Sequence, residues 1–353
     1  MKIAITADVH LKTKEKSPER WNALSNILDK MLSEDIKTLI IAGDLFNEES
    51  QNYSEFDQFC KNKKIIDNQI KFYLIPGNHD PSIKQQYFTS GSIGVFSKPE
   101  IIKLGEPPVV FLFIPYQPAR SMGEVIAEYK ESLPKLWILI GHGDYMAGLR
   151  DSNPYEPGIY MPFTRNDIQY YNPAEIIVGH IHKKINLGKV YYPGSPCGLD
   201  INETGKRSFL ILNTGTLEVV EKVIDTDYIF FNETLISLPT TNEFEYMERK
   251  IEEIIRKWNI NKNEVLKARI RLKIKGYTSD KNKLLEITKK TLKNFTFYNH
   301  EEPDLTEVSI FNDPERIVIV EKLIDEIEKM EWDNEITSKE DILEKALHII
   351  LKE

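Results

Sequence analysis

Cysteine is nearly missing from this 353-residue chain, which has only Cys60 and Cys197. Two thiols so far apart frame no disulfide scaffold, and neither stands at a metal-ligand spacing. Both are read as buried structural thiols in a reducing compartment. Long apolar runs are also lacking, and none approaches the roughly 20 residues needed to cross a bilayer, so no membrane association is expected. The first apolar segment begins at Lys2 with no leader-like stretch before it, which predicts a cytoplasmic protein. Positive net charge is absent too: 46 Lys and Arg stand against 55 Asp and Glu, leaving −9. Taken alone, that balance argues against a polyanion binder. No internal repeat or low-complexity tract occurs. What remains, 41% hydrophobic and 29% charged residues, is ordinary for a globular protein of two or three domains.

The net charge hides a segregation. Between Arg249 and Lys293 there are 15 Lys and Arg against 5 Asp and Glu, whereas Glu301 to Glu353 holds 6 against 17. A basic module therefore precedes an acidic tail. Within the module, Leu266 to Lys275 alternates strictly. Leu266, Ala268, Ile270, Leu272 and Ile274 take one face, and Lys267, Arg269, Arg271, Lys273 and Lys275 the other. Five cations spaced about 6.6–6.8 Å apart along one strand face can be a solvated surface, but a mixture of signs is the norm there. Contact with backbone phosphates is the reading preferred. Helices over Glu243 to Trp258 and Lys281 to Phe295 would cover the apolar face.

The first ~224 residues alternate strands and helices. Ser17-Pro18 opens a helix to Met31 as N-cap and first helical residue, and a second helix covers Tyr53 to Lys63. Five of the seven histidines lie in short turns, each ending an apolar run. The first run ends in Asp8-Val9-His10, the second in Gly43-Asp44, and the third in Gly77-Asn78-His79-Asp80. Two more end in Gly141-His142 and Gly179-His180-Ile181-His182. His300 and His348 lie outside this pattern. Buried strands that all deliver nitrogen and oxygen donors at their carboxyl ends describe a metal site along one sheet edge. Mixed N/O donors with only two carboxylates suit Mn²⁺, Fe²⁺ or Zn²⁺ better than Mg²⁺ or Ca²⁺. Two such ions about 3.5–4 Å apart can clamp the attacking and leaving oxygens of a phosphoryl centre. A single histidine at a strand end is more often structural, but five gathered with Asp8, Asp44 and Asn78 are not a chance assembly. Beyond His182 the turn Pro193-Gly194-Ser195-Pro196 and the runs Ser208–Leu212 and Leu217–Val220 read as hairpin-connected strands. The tail carries two helix signals. Asp313-Pro314 precedes Ile317, Val320, Ile324, Ile327 and Met330, and a box-like Ser338-Lys339-Glu340-Asp341 precedes Ile342, Leu343, Ala346, Leu347 and Ile350. Their apolar faces either pack on the body or dock into a partner groove.

At these turns the chain resembles the calcineurin-like metallophosphoesterases, whose pattern D-x-H, G-D, G-N-H-[DE], G-H, G-H-x-H is met in full and in order. The resemblance implies an α/β fold, a four-layer αββα sandwich, with two divalent ions, expected to be Mn²⁺. Asp8, His10, Asp44 and His182 would hold one ion, and Asp44, Asn78, His142 and His180 the other. His79 would face the substrate as general acid, with Asp80 orienting its ring. Gly43-Asp44-Leu45-Phe46 and Tyr192-Pro193-Gly194-Ser195-Pro196 further resemble the nuclease subunit of SbcCD-type double-strand-break repair complexes. That likeness implies a DNA nuclease, exo- or endonucleolytic, in repair and recombination. It also implies a small α+β DNA-capping domain over 225–307 after the nuclease domain 1–224, then a helical tail over 308–353. The tail would meet an SbcC-like ABC-type coiled-coil ATPase, and a homodimer is expected. DNA would be held through its backbone, without sequence preference, by Lys267, Arg269, Arg271, Lys273 and Lys275. Asn47 stands where relatives commonly carry His or Asp to seat the scissile strand, and the Glu-Arg pair often found after the turn is missing. Two other readings compete. One is a phosphodiesterase or phosphatase for a small-molecule phosphoester. The other is a binding subunit with a vestigial site, which the full set of site residues disfavours.

Overall fold

The computed structural model describes residues 1–146, 158–331 and 339–351. They form two compact units, Met1–Leu199 with Lys206–Tyr228, and Asp200–Gly205 with Ile229–Glu353.

Two six-stranded sheets make the first unit. In one the order is Val219–Val223, Ser208–Asn213, Lys2–Thr6, Thr38–Ala42, Lys71–Ile75, Ile93–Val95, with the last four strands parallel. In the other it is Ile185–Asn186, Val190–Tyr192, Glu175–Gly179, Trp137–His142, Val109–Ile114, Glu100–Leu104. The strands Thr38–Ala42 and Trp137–His142 are buried throughout, as a strand covered on both faces must be. Alternate residues divide between two apolar layers. Ile3, Ile5, Ile40, Ile75, Phe111, Phe113, Ile138 and Ile177 meet between the sheets. Ala4, Leu39, Ile41 and Leu74 pack outward on Trp21, Leu24 and Ile27, and Leu112, Leu139 and Ile176 on Met122, Val125 and Ile126. Helix, sheet, sheet and helix therefore stack as four layers.

Local chemistry adjusts the helices expected. Pro18–Ser33 starts at proline, yet the Ser17 hydroxyl accepts the Lys12 N–H at 3.3 Å and does not cap. The predicted Tyr53–Lys63 helix breaks into Tyr53–Cys60 and Lys63–Asp67, because Asn52 and Asn62 each cap a separate start.

In the second unit the four strands Ile229–Ser237, Ala268–Thr278, Thr296–Phe297 and Asp304–Ile310 pair in parallel around the long one. That strand starts two residues later than its pattern predicts. Leu266, 76% exposed, instead ends a short Asn261-capped helical turn. From Ala268 to Ile274 the alternation holds, with Ile270, Leu272 and Ile274 under the helices Glu243–Lys257 and Lys281–Thr291. The helix Pro314–Lys329 is capped by the Asp313 carboxylate; Lys339–Leu351 follows, with Ser338 outside the described residues. Val320, Ile327, Leu343, Leu347 and Leu351 pack with Leu238, Tyr277 and Phe311. The apolar faces of both tail helices are thus used within this unit.

Candidate metal centre

The loops that follow the central strands of the first unit fold against each other as a ribbon. Asp8 N–H donates to Gly43 O at 3.1 Å, His10 N–H to Asp44 O at 3.0 Å, and Leu11 N–H to Leu45 O at 2.8 Å. Asp8, His10, Asp44 and His180 all adopt positive φ, of 53°, 49°, 51° and 101°. Such a conformation costs a residue with a side chain on the order of 1–3 kcal/mol, and it concentrates at functional sites. Gly43 shows how tightly the sheets approach here. A Cβ at this residue (φ 91°) would lie 2.0 Å from His142 Nδ1, so a side chain would displace the ring.

The donors converge. His10 Nε2 and His182 Nε2 lie 3.0 Å apart, and Asn78 Oδ1 lies 2.8 Å from His142 Nε2 and 3.0 Å from His180 Nδ1. Asp44 Oδ2 sits between the two groups, 3.7 Å from His10 Nε2 and 3.3 Å from His142 Nε2. Donor atoms of Asp8, His10 and His182 fall within 4.8 Å of one another, as do those of Asp8, Asp44 and His142. The remaining bonds fix the rings. His142 Nδ1–H donates to Ala42 O at 2.9 Å, which turns Nε2 toward Asp44. The Oδ1 oxygens of Asp8 and Asp44 accept the N–H groups of His180 and His79. Their Oδ2 oxygens are buried and accept no hydrogen bond among the described residues. Carboxylate oxygens this deep need a cation or a proton. Inward-facing imidazoles and a neutral carbonyl oxygen complete a donor set that fits a pair of divalent ions.

At Asp44 and His10 the electrostatics agree with that use, whereas at His142 a bound cation would have to displace a proton. Burial would push Asp44 up, but the charges of the nearby His142 ring, of His10 and of His79 pull it well below the usual carboxylate range. Burial pushes Asp8 up to about 6, against the pull of His142 and His182. His10 is driven well below an ordinary imidazole, chiefly by burial, and so is held as the neutral ligand form. Burial likewise opposes charge on His142, yet Asp44 and Asp8 outweigh it and raise the ring to about 10.

His79 is half-buried, its ring centroid 4.8 Å from that of His10 at a steep angle. Asp80, expected to orient the His79 ring, binds backbone through both carboxylate oxygens. One of its oxygens accepts Gly77 N–H at 2.7 Å and the other Phe46 N–H at 2.9 Å. It ties the turn carrying His79 to the loop after Asp44. Burial, reinforced by the Asp44 charge, lifts it to about 7. Asn47 donates its N–H to Leu11 O, and its side chain accepts Glu49 N–H, placing it on the rim beside the Leu11–Phe46 bridge.

Sequence reasoning missed several neighbours. Asp144, 1% exposed, accepts Tyr160 N–H at 2.7 Å and stands 3.6 Å from His180 Nε2. Its Gly143-Asp144 repeats the Gly43-Asp44 dipeptide at a strand end, a signal that was available. Gln51 Nε2–H donates to His79 O at 3.1 Å. Arg20 and Arg207 donate to the carbonyls of His10 and His182. Arg207 is the odd cation at the head of an apolar strand.

The predicted DNA contacts lie in the second unit. Arg269, Arg271, Lys273 and Lys275 fall on Ala268–Thr278, and Lys267 just before it. Arg271 binds Glu301 through Nε at 2.8 Å and Nη2 at 3.2 Å while its guanidinium lies over Tyr298. Lys273 meets Glu307 at 2.6 Å, and Lys275 pairs with Glu344. The acidic tail thus supplies counter-charges to the basic strand.

A family model described as calcineurin-like phosphoesterase matches residues 1–184. Over 205 residues the chain is 26% identical to YhaO, an uncharacterized metallophosphoesterase of Bacillus subtilis, covering 54% of this chain and 48% of that one. Over 89 residues it is 27% identical to the DNA polymerase II small subunit of Halobacterium salinarum, covering 22% of this chain and 18% of that one. The chain therefore spans about half, or less, of the length of these curated relatives. Similar solved structures include a novel archaeal phosphodiesterase, at TM-score 0.34, 16% identity and coverage of 63% and 99%. A dimetal phosphatase from Danio rerio has TM-score 0.38, 9% identity and coverage of 64% and 96%. No helix among the described residues is long and apolar enough to cross a membrane.

Proposed function

Since the chain belongs to the calcineurin-like phosphoesterases, hydrolases of phosphoester bonds, we propose that it is a metal-dependent nuclease that hydrolyses DNA phosphodiesters. The observation that carries phosphoester hydrolysis is the meeting of Asp8, His10, Asp44 and Asn78, after strands of one sheet, with His142, His180 and His182 from the other, and not along a single sheet edge as the sequence predicts, with buried carboxylate oxygens facing inward. When bound, two divalent ions, taken to be Mn²⁺, supply Lewis-acid polarisation of the phosphoryl group and a nucleophile at neutral pH. Asp8, His10, Asp44 and His182 would hold one ion, and Asp44, Asn78, His142 and His180 the other. Asp44 takes part in both because its Oδ2 lies between the two groups. His79, half-exposed beside His10, donates a proton to the departing oxygen; Asp80 and Gln51 hold its backbone in place.

DNA as substrate is supported by the cationic excess between Arg249 and Lys293. The ion pairs of Arg271, Lys273 and Lys275 mean that phosphates would compete with Glu301, Glu307 and Glu344 on that strand. Those pairs favour a second reading, a phosphodiesterase for a small diester, in which the second unit needs no polyanion. An SbcC-like ATPase partner and a homodimer belong to the nuclease reading.

Incubation with Mn²⁺ and either linear duplex, single-stranded DNA or an aryl phosphodiester separates the two. The nuclease reading expects cleavage of DNA that responds to ends or structure, weakens steeply with salt, and is lost in His79→Asn. Turnover of the aryl diester with every DNA left intact would select the small-substrate enzyme.

A further inference from the structure

The Pro193-Gly194-Ser195-Pro196 turn stands out in the sequence, yet contributes no side chain to the metal centre. Its position gives it another task. Ser195 N–H donates to His182 O at 3.0 Å. A Cβ on Gly194 (φ 73°) would lie 2.6 Å from that same carbonyl oxygen, so the turn's backbone lies directly on that of His182. Arg207 completes the contact. Its Nε–H donates to Ser195 O at 2.8 Å, and Nη2–H donates to Ser195 Oγ at 2.6 Å and to His182 O. Arg207 is 7% exposed and Ser195 1%. A guanidinium this deep needs acceptors for its donors, and the turn and one imidazole-bearing residue supply three of them.

We infer that Arg207 and Ser195 are positioning residues for His182, fixing where its imidazole meets that of His10 and so setting the affinity of one of the two ions. Two imidazole nitrogens 3.0 Å apart bind one cation well only if both rings are held from behind. His182 is the less buried of the pair, three residues beyond the strand end at Gly179, where backbone anchoring matters most. Partners behind a metal ligand are commonly worth about 10–100-fold in affinity. Lysine at Arg207 keeps the charge but cannot span the Ser195 and His182 acceptors together.

The inference rests on the metal-dependent reading above. It is tested by counting Mn²⁺ per chain by mass spectrometry at increasing free Mn²⁺ in the wild type, Arg207→Lys and Ser195→Ala. Paramagnetic resonance distinguishes spin-coupled pairs from isolated ions in the same samples. The wild type should bind two ions as a coupled pair. Arg207→Lys should bind one at the wild-type midpoint and the other roughly 10–100-fold more weakly, with the coupled signal restored by excess Mn²⁺. Ser195→Ala should shift in the same direction by less, and it serves alone if Arg207→Lys does not fold. Two ions bound at wild-type affinity in the folded variants, with only the melting temperature lowered, would overturn the inference and leave the proposed function standing. A wild type that binds no Mn²⁺ would overturn both.

Discussion

The ligand-bearing edge of the first unit and the cationic strand of the second both concentrate charge, and they settle it differently. On Ala268–Thr278 the outward cations Arg271, Lys273 and Lys275 meet Glu301, Glu307 and Glu344 in half-exposed pairs. At the ligand edge Asp8 and Asp44 are essentially fully buried, and among the described residues one oxygen of each accepts no hydrogen bond. The first unit is able to satisfy a buried carboxylate from within. Asp57 receives Thr89 N–H and Ser90 N–H on one oxygen, and the Thr89 hydroxyl and Lys61 on the other. Against that internal standard, the unsatisfied oxygens of Asp8 and Asp44 mark a place built for cations. The strand's pairs balance charge within their own unit, and a phosphate backbone would have to displace them.

The contrast breaks most visibly at Asp44. Asp44→Asn should lower phosphodiester turnover on the order of 10²–10⁴-fold, as loss of a positioned catalytic group does, and abolish the rise in melting temperature on adding Mn²⁺. Retention of that rise would remove Asp44 from the ligand set. Next comes Gly43→Ala, which pushes a Cβ into His142 at a positive φ. It should destabilise the first unit by about 2–4 kcal/mol and weaken Mn²⁺ binding in parallel. Denaturant melts with and without Mn²⁺ measure both effects.

Asp57 sharpens the comparison through pH. Burial would raise this carboxyl, but hydrogen bonds from Lys61, Thr89 and Ser90 bring it down to about 2 from an ordinary 3.8. Its folded value is depressed, so its stabilisation is complete above about pH 4 and disappears as pH falls through about 2. Asp57→Asn should therefore cost about 2 kcal/mol at neutral pH and progressively less below pH 4. A deficit that does not change with pH would assign the effect to packing. The smallest effect belongs to the strand. Arg271→Ala removes a half-exposed pair and should shift stability by only about 0.2–1 kcal/mol, less at high salt. A larger loss would mean that its stacking on Tyr298 and its bidentate bond to Glu301 hold the unit together.

The legibility of the site follows the same physics. Asp8, His10, Asp44, Asn78, His142, His180 and His182 were readable because each ends an apolar run, and strands buried on both faces leave no other place for polar residues. Alternation located the long strand of the second unit but not its start, where Asn261 captures Leu266 into a helical turn. It also placed the cations on one face without revealing their partners, since Glu301, Glu307 and Glu344 lie 30 to 69 residues away from the cations they meet. The backbone bonds of Asp80 were not legible, because sequence does not show which N–H groups a buried carboxylate will meet. Its oxygens turn to backbone N–H groups that only the folded loop brings together. Arg207 and Ser195 were invisible for the same reason: their contacts with His182 span 25 and 13 residues and involve backbone.

The measurement closest to the central claim is an equilibrium titration of the metal-stripped chain with Mn²⁺, followed by ions bound per chain and by melting temperature. The account predicts two ions bound at neutral pH, a higher melting temperature, and loss of both in Asp44→Asn. A chain that binds no divalent cation and melts at the same temperature with and without Mn²⁺ would contradict it.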